Sequence, residues 1–185
     1  MAQPSPQLIA ALAGATAIVL VMQSTSQALA TGIMAVLTVL LLYRFPGLAA
    51  LAAAAFLAGA LADGALYLAS MHLWTDPDSA RARMLEQYYD RSGLWLAMLF
   101  AGFLTVWMTL PAVLLWREAG APLWALPVIG FVCGALPGVF VQGSPAMANL
   151  LPFYSATTGD LENRAWDGAS IALVCVLAAP LARAT

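Results

Sequence analysis

Lysine is absent from this 185-residue chain, and all seven of its basic residues are arginines. Without a lysine amine the protein cannot form the Schiff base that holds retinal or pyridoxal phosphate. His72 is the single histidine, and Cys133 and Cys175 lie in separate apolar runs. These counts exclude a Cys/His zinc site and a haem held by two histidines, and we expect no disulfide framework.

Charge is scarce as well. Charged residues make up 9% of the chain, against about 25% in soluble proteins, and hydrophobic residues make up 63%. The net charge is −2 without a basic cluster, so nucleic acid is not an expected partner. The apolar residues form continuous runs rather than alternating segments, which favours helices over a transmembrane β-barrel. We therefore predict an all-α, polytopic helical bundle whose first partner is the lipid bilayer.

The chain contains six apolar runs that approach the length of about 20 residues needed to cross a bilayer. The predicted spans are residues 6–22, 28–45, 47–74, 94–116, 123–142 and 169–183. They use up nearly the whole chain, so we expect a single integral membrane domain. The polar segments 75–93 and 143–168 then lie on the same side, and residues 77–89 are expected to form a short amphipathic surface helix. Ser5 followed by Pro6 predicts the start of the first helix, because serine caps and proline suits the first turn.

The N-terminal region has two interpretations. Its apolar run is followed by Ala28-x-Ala30, the small-residue pattern of a signal-peptidase site, yet residues 1–7 lack the basic charge of a signal peptide. A retained first helix and a cleaved signal peptide both stay open. Arg44, Arg117 and Arg183 end helices on the side that holds the N-terminus, which predicts that both termini are cytoplasmic.

Asp63 is the one acid in the third run, where a carboxylate costs about 2.5–3.5 kcal/mol on insertion scales. Tyr67 and Ser70 follow it at helical spacing and share its face. His72 lies near the expected membrane edge, as a proton relay or as an ordinary interfacial histidine. We expect a polar site for a proton, cation or substrate around Asp63, with a structural hydrogen-bond acceptor as the alternative.

The two polar segments also concentrate acids and arginines on one side of the membrane. This candidate cluster contains Glu86, Asp90, Arg91, Glu162, Arg164 and Asp167. Its oxygens could coordinate a hard cation, but salt-bridged packing is the simpler interpretation, because helix starts favour acids through the helix dipole. No metal site and no cofactor are predicted.

Glycines mark the fifth run. Gly130, Gly134 and Gly138 stand four residues apart, a double GxxxG pattern that lets another helix approach closely. This spacing predicts helix packing, or a helix that lines a substrate path.

Two parts of the chain resemble each other weakly. Gly59-Ala60-Leu61 matches Gly134-Ala135-Leu136, and Leu85-Glu86-Gln87 matches Leu161-Glu162-Asn163, at offsets of 75 and 76 residues. Such a period holds two spans, so duplicated copies would keep the same orientation in the membrane. The alternative is a chance match within an alphabet rich in alanine and leucine.

No hydrolase, P-loop, metalloprotease or dinucleotide motif is present. We expect a small-solute or ion transporter, a channel or a solute-binding subunit with its site around Asp63. One alternative is a membrane enzyme for a lipid-soluble substrate, with Asp63 and Glu86 or Glu162 as acid and base. The other is a non-catalytic assembly subunit. A small molecule or cation is the expected ligand, and a homo- or hetero-oligomer is compatible with the sequence.

Overall fold

The computed structural model describes the backbone of residues 3–73, 93–141 and 160–184, and the side chains of residues 3–65, 93–136, 140 and 167–181. Every regular element in these ranges is a helix. The α-helices are α1 (Pro6–Ser24), α2 (Gln27–Arg44), α3 (Ala49–Leu73), α4 (Leu94–Glu118), α5 (Ala125–Val141) and α6 (Asp160–Ala184). The surface helix predicted for residues 77–89 lies outside the described ranges.

Serine side chains cap the N-termini of the first two helices. The Ser5 side chain accepts a hydrogen bond from the Leu8 amide at 3.2 Å, and Pro6 occupies the first helical turn. Ser26 caps α2 in the same way, so Thr25 and Ser26 alone reverse the chain. The predicted start at Pro6 is therefore confirmed, and serine supplies the caps because its hydroxyl satisfies an orphan amide of the first turn.

The last helix begins earlier than the predicted span. We expected residues 169–183, whereas α6 runs from Asp160 to Ala184. Hydropathy marks only the apolar part of a helix, and residues 160–168 contain four charged residues. An acid at the first position, as in Asp160, suits a helix start, and most of the residues that follow tolerate a helix. Glu162, Arg164 and Asp167 therefore stand on helical backbone.

Helix α4 forms the centre of the bundle and packs against all five other helices. Its residues from Val106 to Leu114 are all buried. The closest helix pairs are α3 with α4 and α5 with α6. The α1–α2 hairpin packs on the remaining side of α4.

Contacts at the helix ends give the relative directions of α1, α4 and α5. Ser5, before α1, donates its backbone N–H to the Glu118 carboxylate at the end of α4, at 3.0 Å. Gln23, near the end of α1, donates to the carbonyl oxygen of Phe140 near the end of α5, also at 3.0 Å. Helix α1 is therefore antiparallel to α4 and parallel to α5.

Four of the described helices are long and apolar enough to cross a membrane. They comprise α1, α2, the segment Pro46–Ala65 and α4. The shorter apolar stretches Ala125–Leu136 and Asp167–Leu181 belong to α5 and α6. The fold is thus an all-helical bundle compatible with an integral membrane protein.

Candidate functional site

Asp63 lies on the side of α3 that packs against α4. Gly59, one turn before it, lies against Ala101 and Thr105 of α4, and Gly64 lies against the Met98 thioether. At 100° per residue, Asp63 falls between these two glycines around the helix. Its residue is half-buried. The carboxylate therefore does not belong to the outward-facing apolar surface that Leu61 and Ala65 form.

The carboxylate is also far from both ends of its helix. Ten residues separate Asp63 from Leu73, the last residue of α3, which corresponds to about 15 Å at 1.5 Å per residue. The acidic side chains among those the structure describes are Asp63, Glu118 and Asp167. Asp63 and Asp167 each take part in a hydrogen bond, ion pair or electrostatic interaction. Asp63 is thus a polar group that interacts with another group inside an apolar bundle.

Asp167 is the second half-buried acid. It stands in the second turn of α6, and its backbone carbonyl lies against Gly134 of α5. Helices α3 and α6 are in contact, so the two acids lie on neighbouring helices. The sequence placed Asp167 in an interfacial cluster, and the structure puts it on the helix that packs against α5.

The other predicted site residues are described only in part. Tyr67, Ser70 and His72 stand on the α3 backbone, and their side chains lie outside the described set. The same holds for Glu162 and Arg164 on α6, whereas Glu86, Asp90 and Arg91 lie entirely outside it. Among the described residues no three His, Cys, Asp or Glu side chains form a group that could hold a metal ion.

The glycines of α5 lie against α6. A Cβ atom at Gly130 would stand 3.0 Å from the Ala172 Cα atom and from the Cys175 sulfur. At Gly134 it would stand 2.8 Å from the Asp167 carbonyl oxygen and from the Ile171 Cβ atom. Gly138 stands on the same helix, and its surroundings lie outside the described part of the chain. The glycine spacing therefore coincides with a close helix–helix contact.

An apolar groove runs along the outside of the bundle between α1, α4 and α5. Its volume is about 420 Å³, and its floor is formed by buried residues of α4, Trp107, Met108 and Pro111. The side walls come from α1 and α5. They comprise Leu12, Ala15, Thr16, Val19, Leu20, Gln23, Cys133, Leu136 and Phe140.

The Thr16 and Gln23 side chains that line this groove donate hydrogen bonds to backbone carbonyl oxygens. The Thr16 hydroxyl donates to the carbonyl oxygen of Leu12 at 2.9 Å, and the Gln23 amide donates to that of Phe140. Asp63 is not among its lining residues. The groove is therefore a second candidate site, separate from Asp63, which periodicity could not predict because it depends on how α1 docks.

One tryptophan of α4 contacts both α1 and α2. The Trp107 indole N–H donates to the Thr38 hydroxyl at 2.9 Å, with the Met34 carbonyl oxygen at 3.3 Å. The ring packs against Gly14 of α1. Sequence reasoning did not find these residues. The isolated glycine in an apolar helix was the available signal, since such a glycine often has a packing reason.

No protein-family model, no curated protein and no solved structure matches this chain.

Proposed function

We propose that this chain is a six-span membrane protein that binds and conducts a small cationic solute or a proton at Asp63. The observation that carries the proposal is the half-buried carboxylate on the α4-facing side of α3, about ten residues from the helix end. Intramembrane carboxylates are rare and face the bundle interior or a wet cavity, where they mark ion and substrate paths. A negative charge in apolar surroundings favours a cationic partner.

The chain has six membrane spans when α5 and α6 cross the bilayer together with the four longer helices. The helix-end contacts place the start of α1 beside the end of α4, and alternation then puts the ends of α2 and α6 on that same side. Arg44, Arg117 and Arg183 lie at these three helix ends. We assign this side, with both termini, to the cytoplasm by the positive-inside rule.

Flux through reconstituted vesicles tests the proposal. Purified protein in liposomes is assayed with an internal pH dye and with radioactive sodium and methylammonium, each under an imposed membrane potential. Wild-type vesicles should carry at least one of these cations faster than empty vesicles, and Asp63→Asn should abolish the difference. Asp63→Glu should restore part of it, because the charge returns.

A matched control separates charge from folding. Ala62 is the exposed neighbour of Asp63 on α3, so Ala62→Asn introduces the same side chain one residue away. It should conduct like wild type. If Asp63→Asn and wild type carry every probe equally, or if neither exceeds empty vesicles, the proposal is wrong.

The groove favours a second candidate function, binding of a lipid-soluble molecule. Its volume falls within the range of roughly 300–1,000 Å³ that is typical of small-molecule sites. Its lining offers no carboxylate or imidazole, so it favours binding over acid–base chemistry. Brominated acyl chains quench nearby indoles. A variant that keeps Trp107 as its one tryptophan should be quenched by brominated lipid, and Ala15→Phe, which fills the groove, should remove the quenching.

A further inference from the structure

We infer that α3–α4 and α5–α6 are two copies of one helix hairpin, related by a two-fold axis that passes between Thr109 and Cys175. This inference is independent of the proposed transport function. Three observations support it. The two hairpins have the same glycine contacts, their corresponding residues have similar burial, and one pair of corresponding residues lies side by side at the centre of the bundle.

The first correspondence is a glycine that faces a phenylalanine. A Cβ atom at Gly102 of α4 would lie 2.7 Å from Cε2 of Phe56 and 3.0 Å from its carbonyl oxygen. At Gly168 of α6 it would lie 2.8 Å from Cε2 of Phe131 and 2.9 Å from its carbonyl oxygen. Both phenylalanines stand on the preceding helix of their hairpin, and each hairpin therefore closes on the same aromatic contact.

The second correspondence is a glycine on the first helix of each hairpin, α3 or α5. A Cβ atom at Gly59 would lie 2.7 Å from the Ala101 carbonyl oxygen and from the Thr105 Cβ atom. At Gly134 the same two distances are 2.8 Å, to the Asp167 carbonyl oxygen and the Ile171 Cβ atom. In both hairpins these neighbours are the residue before the facing glycine and the residue three after it. The contacts therefore share one register.

That register defines two constant offsets along the chain. Residues of α3 correspond to residues of α5 that stand 75 positions later, as Phe56 does to Phe131. Residues of α4 correspond to residues of α6 that stand 66 positions later, as Gly102 does to Gly168. Corresponding positions of the two helices are thus nine residues closer along the chain in the second hairpin. The motif Phe-x-x-Gly-Ala-Leu occurs at 56–61 and again at 131–136.

Burial follows the same offset. Leu51, Ala55 and Gly59 are buried on α3, and their counterparts Leu126, Gly130 and Gly134 are buried on α5. Three outward-facing positions correspond as well. These exposed pairs are Ala53 with Val128, Leu57 with Val132, and Leu61 with Leu136.

The axis is located by one pair of corresponding residues that lie next to each other. Thr109 of α4 corresponds to Cys175 of α6, and both are 0% exposed. Helices α4 and α6, which carry these two residues, pack against each other, and the Thr109 side chain lies near the Cys175 thiol. Two equivalent residues lie side by side only near the axis that relates them. The axis then runs along the helices, as expected for two copies that keep the same orientation in a membrane.

The helices outside the two hairpins show where the symmetry ends. The α1–α2 hairpin covers α4, where Trp107 and Leu110 are 2% and 0% exposed. Their counterparts on α6, Leu173 and Val176, are 60% and 41% exposed. The counterpart of Asp63 is Gly138, so the hairpin fold does not require a carboxylate at that position.

Cysteine pairs in the full-length protein test the duplication. In a background with Cys133→Ala and Cys175→Ala, the pairs Phe56→Cys with Gly102→Cys and Phe131→Cys with Gly168→Cys should both form disulfides on mild oxidation. Replacing each phenylalanine also makes space for the new side chain at the glycine. Cross-links are read by mass spectrometry of the linked peptides.

Shifted pairs are the matched controls. Phe56→Cys with Thr109→Cys, and Phe131→Cys with the native Cys175, should stay reduced in both hairpins. Thr109 and Cys175 stand seven residues beyond the facing glycines, about 10 Å along the helix, whereas a disulfide needs Cβ atoms about 3.5–4.5 Å apart. A pattern that differs between the two hairpins would overturn the duplication.

The position of the axis is tested separately, with a variant that needs only two substitutions. Thr109→Cys with the native Cys175 in a Cys133→Ala background should cross-link within one chain, and Leu110→Cys should not. A Thr109→Cys chain that folds and stays reduced would place the axis elsewhere and contradict the inference.

Discussion

Gly14 of α1 lies against the six-membered ring of Trp107 on α4, so closely that no side chain fits between the two helices. The ring is 2% exposed, and its N–H donates to Thr38 of α2. One indole thus joins three helices. Close packing and hydrogen bonds are the contacts through which apolar helices associate in lipid, and this contact supplies both between the α1–α2 hairpin and α4.

Gly14→Ala should destabilise the protein by about 1–3 kcal/mol, the usual effect of overpacking. The Trp107 ring cannot move aside without losing its hydrogen bond. Gly32→Ala is the control, because nothing lies within 4 Å of a Cβ atom there. It should be neutral or stabilising by up to about 1 kcal/mol, the usual gain of alanine over glycine in a helix. Unfolding in mixed micelles measures both variants, and equal loss in both would contradict the packing account.

Thr38→Val should cost about 0.6 kcal/mol, the average for an interhelical side-chain hydrogen bond in a membrane. The variant removes the acceptor at 2.9 Å and leaves the Trp107 N–H with the Met34 carbonyl oxygen at 3.3 Å. Thr16→Val is the comparison, since the Thr16 hydroxyl donates within its own helix and its loss should have little effect. Indole N–H exchange by NMR reports the change, and an unaltered exchange rate in Thr38→Val would refute the role of this bond.

Glu118→Ala should loosen the start of α1. The Glu118 carboxylate accepts from the Ser5 backbone N–H at 3.0 Å and from the Ser5 hydroxyl. Losing these bonds should cost about 1 kcal/mol. Amide exchange at Leu8 and Ile9, the residues that bond to Ser5, should quicken about fivefold, and exchange in the middle of α4 should not. Glu118→Gln keeps an acceptor and should show a smaller effect. Unchanged exchange at Leu8 in Glu118→Ala would mean that α1 starts independently of α4.

Gly102→Ala and Gly168→Ala should destabilise the protein to a similar degree, about 1–3 kcal/mol each. Both substitutions bring a methyl group into the ring and carbonyl oxygen of the facing phenylalanine. Trimming the ring should relieve the collision, so Phe56→Leu should partly rescue Gly102→Ala and Phe131→Leu should partly rescue Gly168→Ala. A large effect at one glycine and none at the other would show that the two hairpins are packed differently.

The sequence predicted the helices well because hydropathy and caps are local properties. The bounds of α1 to α5 differ from the predicted spans by at most two residues at each end. The start of α6 was missed because four of its first nine residues are charged. The match between Gly59-Ala60-Leu61 and Gly134-Ala135-Leu136 also anticipated the correspondence of α3 with α5. The matched Glu86 and Glu162 segments lie outside the described side chains.

Helix packing could not be read in the same way. Apolar side chains cover both the inside and the outside of this bundle, so the composition of α1 does not indicate which face meets Trp107. The groove depends on that docking, and it was missed for the same reason. Asp63 was found because a charge is conspicuous in an apolar run, whatever the helix packs against.

Water access to Asp63 is the most direct test of the proposed site. Sealed vesicles of uniform orientation are treated on one side with a water-soluble carbodiimide and glycine ethyl ester, and modification of each acid is quantified by mass spectrometry. Asp63→Asn identifies the labelled peptide, and Glu118 serves as the surface acid for reference. We expect Asp63 to be labelled from at least one side, and a transported cation to slow the labelling. If Asp63 is labelled from neither side while Glu118 reacts fully, no aqueous path reaches the carboxylate and the proposed site is wrong.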